Sequence, residues 1–289
     1  MDRPVGRNFY QFARLTYPLR GLVAFLARGL LALRGLKLIL VFGLSRSGTT
    51  MLGRFLTLHP TAAYIHEPDT ELMKFRFGQE RLGDQVGFWK FVYSEEQKAF
   101  RVHGLVCVTL LAALRSPRAV RTICIKPISL TDVMKEAGGA LSNAEMLYIC
   151  RHPAGRSDSI VRQRKHDQNV DTTSLEYFEM LGQAWGRTTR QIQALFREHS
   201  DWHWVSFEDL THHPIEEFKQ LYGKLGLTWD ATIEREIRQK TTGGDGGFYD
   251  VQRDASKQAD KWRDSLSGEQ VEAIRRGCLP FETNLYEGF

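Results

Sequence analysis

The residues that can most clearly do chemistry are GLSRSGTTML, Gly43 to Leu52, at the end of the apolar run LKLILVF. A glycine-rich turn between a buried strand and a helix start points several backbone N–H groups at one spot, where the helix dipole also favours negative charge. The loop is therefore an anion cradle. Arg46 and Ser47 lie inside it and Thr49 and Thr50 open the helix, so a guanidinium and hydroxyls can grip a phosphate or sulfate group without a metal. Metal-ligand spacing is not visible: His66-Glu67 begins like His-Glu-x-x-His, but Thr70 occupies the second histidine's place. Cys107, Cys124, Cys150 and Cys278 are far apart and show no Cys-x-x-Cys spacing, which argues against a disulfide framework or zinc ribbon and for a reducing compartment.

A cradle of this kind needs a strand before it and a helix after it, and the flanking sequence supplies both. Lys37 to Phe42 reads as a strand and TTMLGRFLTLH as a helix. Further strands are expected at Ala62 to Ile65, Thr122 to Ile125, Glu145 to Cys150 and Trp202 to Phe207. Helical or irregular material fills Glu71 to Leu114, and helices are expected from Ala154 through Lys165, near Leu175 to His199, and from Pro214 to Gly226. Strand, loop and helix in repetition imply right-handed crossovers and a mainly parallel sheet covered on both faces. The expected architecture is α/β, a single three-layer domain over residues 37–289 behind a basic amphipathic segment, residues 1–36.

The loop is close to the nucleotide-binding pattern Gly-x-x-x-x-Gly-Lys-[Ser/Thr], but Thr49 stands where the lysine would reach the β and γ phosphates. RSGTT after an apolar strand resembles instead the 5′-phosphosulfate loop of sulfotransferases that use 3′-phosphoadenosine 5′-phosphosulfate, PAPS. LYICRHPAGRSDSIVRQ fits the same family, whose second motif places a serine eight residues after an arginine; here these are Arg151 and Ser159. His152 replaces a more usual aspartate, and Gly155 is unusual at the start of that helix. ICIKPISL is similar to the family's Lys-x-Pro segment, and WVSFEDLTHHP with KLGL to its Tyr-Glu-Asp-Leu region; KWRDSLS, Lys261 to Ser267, is a weaker echo. The resemblance runs over about residues 37–230 and implies a P-loop NTPase-like fold.

What it implies chemically is metal-independent sulfuryl transfer from PAPS to an acceptor hydroxyl. Arg46 with the amides and hydroxyls of Ser47, Gly48, Thr49 and Thr50 would hold the phosphosulfate oxygens, and Arg151 and Ser159 the 3′-phosphate. Lys126 would stabilise the bridging oxygen of the leaving phosphate. Glu67, in YIHEPD, is the candidate general base, because loops after neighbouring parallel strands gather at one crevice. Its alternative role is to orient the loop or pair with Arg46. His66 is the substitute base, on a side chain expected to point the other way along the strand. Arg253 and Trp262 lie where family members often close a C-terminal loop over the nucleotide. The cluster Arg162, Arg164, Lys165 and His166 either recruits an acidic acceptor or forms a solvated helix face.

A net charge of +5 is concentrated at one end: residues 1–37 carry seven basic residues and one acidic, so the remainder is near neutral and a nucleic-acid-coating role is excluded. Within YPLRGLVAFLARGLLALRGLKLILVF, Arg20, Arg28, Arg34 and Lys37 interrupt every run short of the roughly 18 to 20 apolar residues of a spanning helix. They fall in one half of a helical wheel, with Leu22, Phe25, Leu26, Leu30 and Leu33 in the other. Such a helix either packs on the protein's own core or touches a membrane surface or partner through residues 18–36. The expected setting is cytoplasmic, peripheral at the membrane face in the second case. The Glu-Pro base segment and the absence of the Lys-x-His arrangement of cytosolic small-molecule enzymes favour a saccharide or glycolipid hydroxyl as acceptor. The competing readings are a P-loop kinase or NTPase with a degenerate loop, using Glu208 and Asp209 for magnesium, and a non-catalytic nucleotide-binding protein.

Overall fold

The computed structural model describes residues 7–68, 95–127, 133–164, 171–242 and 255–289. Helices α1 (Arg7–Thr16) and α2 (Arg20–Leu33) lead into strand β1 (Lys37–Phe42), the glycine loop and α3 (Thr49–Phe55). Then come β2 (Ala62–His66), α4 (Glu95–Arg115), β3 (Thr122–Lys126), α5 (Met134–Ala140) and β4 (Ala144–Cys150). Helices α6 (Pro153–Arg164) and α7 (Leu175–Glu198) precede β5 (His203–Ser206) and α8 (Phe207–His212). Helices α9 (Pro214–Lys224), α10 (Ala231–Thr242), α11 (Ala255–Asp260), α12 (Trp262–Ser265) and α13 (Gly268–Cys278) complete the described chain.

The strands form one five-stranded sheet, β2-β3-β1-β4-β5, in an α/β fold. Strand β3 runs parallel to β1, with Lys37 opposite Thr122, and parallel to β2, with Ala62 opposite Thr122 and His66 opposite Lys126. Leu38, Ile39, Leu40, Val41 and Phe42 are all buried, a continuous apolar run expected of a parallel strand covered on both faces. Several strand ends differ by one residue from the sequence reading, and β5 is one residue shorter at each end than Trp202 to Phe207. Ser206 Oγ accepts the Asp209 N–H at 3.1 Å, an N-cap that starts α8, so Phe207 belongs to a helix rather than to the strand before it. All four cysteines are free and buried.

Contacts divide the chain into two compact units, Met1–Phe42 with Leu52–Leu147, and Gly43–Met51 with Tyr148–Phe289. In the first unit α2 packs on α4. It does so through Val23, Ala24, Ala27 and Leu31, the side of the helix that also carries the arginines. Arg28 Nη1 donates to the Ala140 carbonyl at 2.8 Å, and Arg34 donates to the carbonyls of Ala113 and, at 2.8 Å, Ser116. The leucine side is the exposed one. The segment Phe9–Leu33 is, by length and composition, long and apolar enough to cross a membrane, which corrects the expectation that its arginines disqualify it.

In the second unit the apolar face of α7, with Tyr177, Phe178, Leu181 and Trp185 buried, packs against α6 and α13. A capping box closes the start of α13, Ser267 Oγ accepting from Gln270 N at 3.2 Å while the Gln270 side chain accepts from Ser267 N at 2.9 Å.

Candidate active site

The second unit holds the glycine loop, and there two distant motifs meet. Ser47 N–H donates to Leu44 O at 3.1 Å, closing the turn. Arg46 adopts φ 71°, a left-handed conformation that costs a non-glycine residue about 1 kcal/mol and persists only where surroundings enforce it. Three contacts enforce it here. Arg46 Nε donates to Ser159 Oγ at 3.0 Å, Arg151 Nη1 donates to Arg46 O at 3.1 Å, and Arg156 Nε donates to the neighbouring Ser45 O at 3.1 Å. Ser47, Thr49 and Ser159 are buried with them.

Arg151 is the hub of this cluster. Its guanidinium lies 4.3 Å from the Phe207 ring centroid, and Nη2 donates to Gln258 O at 2.7 Å. Its carbonyl accepts from Trp185 Nε1 at 2.9 Å. Nε is buried without a hydrogen-bond partner among the described residues, an unsatisfied donor of the kind that an anionic oxygen satisfies. Burial pushes the Arg151 pKa down to about 10, partly offset by Glu208, so the side chain stays cationic at neutral pH. A side chain at Gly155 would bring a Cβ within 3.2 Å of both Arg151 Nε and the Trp262 ring, which explains the unexpected glycine.

His152 in the place of aspartate also has a local reason. Its Nδ1 accepts the Ala154 N–H at 3.2 Å, capping α6 as a carboxylate oxygen would. That cap needs a neutral ring. Burial first, then Arg263 and Arg151, pull the His152 pKa down to about 4, and the ring stacks on Trp262 with centroids 4.6 Å apart. The backbone N–H of His152 donates to Glu208 Oε1 at 2.9 Å and Tyr286 Oη donates to Glu208 Oε2 at 2.8 Å. Both carboxylate oxygens of Glu208 are thereby engaged, unlike those of a carboxylate presented to magnesium.

Gly48, at φ 90°, also lies against the Phe207 ring: a Cβ there would fall 2.4 Å from Phe207 Cδ2. Gly48→Ala is expected to cost about 2–4 kcal/mol from overlap and left-handed strain together. A melting temperature and an anion affinity both close to wild type would remove this packing from its role in shaping the loop.

The first unit holds the other two candidates, and they pair with each other. Lys126 Nζ donates to Glu67 Oε1 in an ion pair, and the Glu67 N–H donates to Lys126 O at 2.8 Å. Glu67 is also left-handed, φ 43°. Leaving strand geometry there swings its carboxylate back beside His66, whose Nε2 is 3.7 Å from Glu67 Oε1, so the expected opposite orientation of His66 does not hold. His66 Nδ1 lies 3.1 Å from Tyr64 Oη. Lys126 is buried and Glu67 half-buried.

Sequence reasoning missed Phe207 and Arg156 as supports of the loop and Glu208 as the carboxylate that holds the His152 backbone. Arg253, Lys165 and His166 lie outside the described residues. Arg162 pairs with Asp158 at 2.6 Å and Arg164 Nη1 donates to Tyr177 Oη at 3.4 Å, which favours an internally engaged helix face over a recruiting cluster.

A family model described as the sulfotransferase family matches residues 39–231. Human carbohydrate sulfotransferase 1 is 33% identical over 78 residues, 26% of this chain and 19% of that protein. The chain thus aligns with under a fifth of the length of the curated relatives it matches. Among solved structures, a sulfotransferase domain from the curacin biosynthetic pathway superposes with TM-score 0.53 at 19% identity, covering 86% of this chain and 98% of that one. Mouse sulfotransferase SULT7A1 complexed with PAP gives TM-score 0.53 at 12% identity, covering 88% and 87%. Both are likenesses of fold.

Proposed function

The chain belongs to the sulfotransferase family, and from that premise we propose that it transfers a sulfuryl group from PAPS to a hydroxyl of a saccharide or glycolipid. The observation that carries the reading is the convergence of Arg46, Ser159 and Arg151 around one loop, with a buried arginine donor left to satisfy. A guanidinium pair, a buried serine hydroxyl and loop amides fit the two phosphate-bearing ends of PAPS, as the family resemblance of both motifs implies.

In the proposed reaction the bond between sulfur and the phosphate bridging oxygen breaks while the acceptor oxygen bonds to sulfur. Arg46 and the loop residues Ser47, Gly48, Thr49 and Thr50 hold non-bridging oxygens, and Arg151 with Ser159 holds the 3′-phosphate. Lys126 neutralises the charge that grows on the departing phosphate. Glu67 takes the acceptor's proton. The saccharide assignment rests on the matched segment of the carbohydrate sulfotransferases; a glycolipid acceptor would be presented at a membrane surface, where residues 18–36 are the candidate contact.

Calorimetry tests the donor assignment. 3′-Phosphoadenosine 5′-phosphate is expected to bind in the presence of a chelator, and ATP much more weakly. Magnesium-dependent ATP binding would overturn the reading in favour of a kinase or NTPase. Labelled PAPS offered to acceptor pools from the source cell then identifies the product.

A further inference from the structure

The side of α2 turned away from the protein is its most apolar. Leu15 at the end of α1 and Leu19, Leu22, Phe25, Leu26 and Leu33 follow helical spacing, and all are exposed, Leu15 and Leu33 by 79% and 85%. Surface helices ordinarily do the reverse, burying leucine and phenylalanine and exposing charge. Six large apolar side chains exposed side by side in a folded chain mark an interaction surface.

Charge identifies the partner. Residues 1–37 hold seven basic residues against a single acidic one, so the apolar stripe lies within a strongly cationic segment. On the flank of α2, Arg20, Gly21, Ala24 and Arg28 line a cavity of ≈ 390 Å³, closed by apolar residues of α4 such as Val102 and Val106, together with His103 and, from α5, Glu136 and Ala140. An apolar cavity with two arginines at one wall suits an amphiphile with an acyl tail and an anionic head; Glu136, on α5, is the one acid among the lining residues. The arginines also settle the orientation. Arg28 and Arg34 are held to backbone carbonyls of the protein, and the Ala24, Ala27 and Leu31 side is packed on α4. Only 22% of the apolar window of Phe9–Leu33 is buried in the protein, against 67% for Gln97–Arg115. A helix fixed to a folded unit along one side and apolar along the other lies in an interface rather than across a bilayer.

We propose that the exposed side of residues 15–33 docks on an anionic phospholipid surface, with Leu19, Leu22, Phe25, Leu26 and Leu33 entering the headgroup and acyl boundary. This deepens the glycolipid-acceptor reading, since it brings the enzyme to the surface that presents such an acceptor, but it stands on different residues. The area entering the lipid gives the affinity and the basic segment gives the preference for anionic lipid.

The test is flotation of the 289-residue chain with vesicles of phosphatidylcholine alone or with about one third phosphatidylserine. Binding is expected to the second and to weaken at high salt. The variant Leu22→Ser/Phe25→Ser/Leu26→Ser is expected to lose at least roughly tenfold in partitioning. Its melting temperature and its affinity for 3′-phosphoadenosine 5′-phosphate should stay as in the wild type. Absence of vesicle binding by the wild type, equal binding by the variant, or a concentration-dependent dimer that the variant abolishes would each overturn the proposal, the last by assigning the face to a second copy of the chain. Nucleotide binding on the same samples keeps the two readings apart. Failure to dock leaves it intact, and a wrong donor assignment leaves docking intact.

Discussion

Arg151→Ala is expected to weaken binding of 3′-phosphoadenosine 5′-phosphate by a factor of about 100 or more, read by calorimetry. A buried guanidinium donating to a phosphate contributes about 1.5–3 kcal/mol per charge-assisted bond, and two such bonds at the low end already give about 3 kcal/mol, roughly 150-fold. The loss also spreads into the loop. Arg46 O and Gln258 O lose the donor that ties the glycine loop to the segment before α12, and the left-handed Arg46 loses one of the contacts that enforce its conformation. Arg151→Lys separates charge from geometry. A lysine keeps the cation but cannot reach both carbonyls and lie over Phe207, so an intermediate loss is expected. If Arg151→Ala melts below the wild type yet binds within about threefold of it, the arginine is a packing element and not a ligand for the nucleotide.

Much of this arrangement is legible in the sequence because it rests on short-range patterns. Strand β1 is read to the residue, since Lys37 opens an unbroken apolar run of five that ends at a glycine turn. The loop and the Arg151–Ser159 spacing are local too, eight residues within one strand end and helix start. What escaped is long-range or depends on a single unusual backbone angle. Phe207 looks like the last residue of an aromatic strand, and only the Ser206 cap turns it into the ring that packs beneath Arg151 and Gly48. Periodicity placed His66 and Glu67 on opposite sides; the left-handed turn at Glu67 defeats it. The helical wheel of α2 separates the arginines from the leucines, but a wheel cannot say which side meets the protein. Small residues let two helices approach closely, so the alanine side packs and the leucine side remains outside.

Glu67→Gln is expected to lower turnover by about 100-fold to 10,000-fold, the range for loss of a positioned general base, with affinity for 3′-phosphoadenosine 5′-phosphate within about threefold of wild type. The amide is the right probe because it keeps the shape and leaves an oxygen to accept from Lys126 Nζ, so the local structure survives while the proton acceptor is gone. The objection is that Glu67 acts only through Lys126, holding the ammonium in place. Acceptor acidity separates the two. A base matters most when the acceptor hydroxyl is a poor acid, so the deficit of Glu67→Gln should shrink as the acceptor is changed from an alcohol to a phenol. A residue that merely positions Lys126 affects departure of the phosphate, and its loss should slow both acceptors by the same factor. Equal deficits for alcohol and phenol would therefore move Glu67 from base to positioning residue. Unchanged turnover would remove it from the reaction altogether.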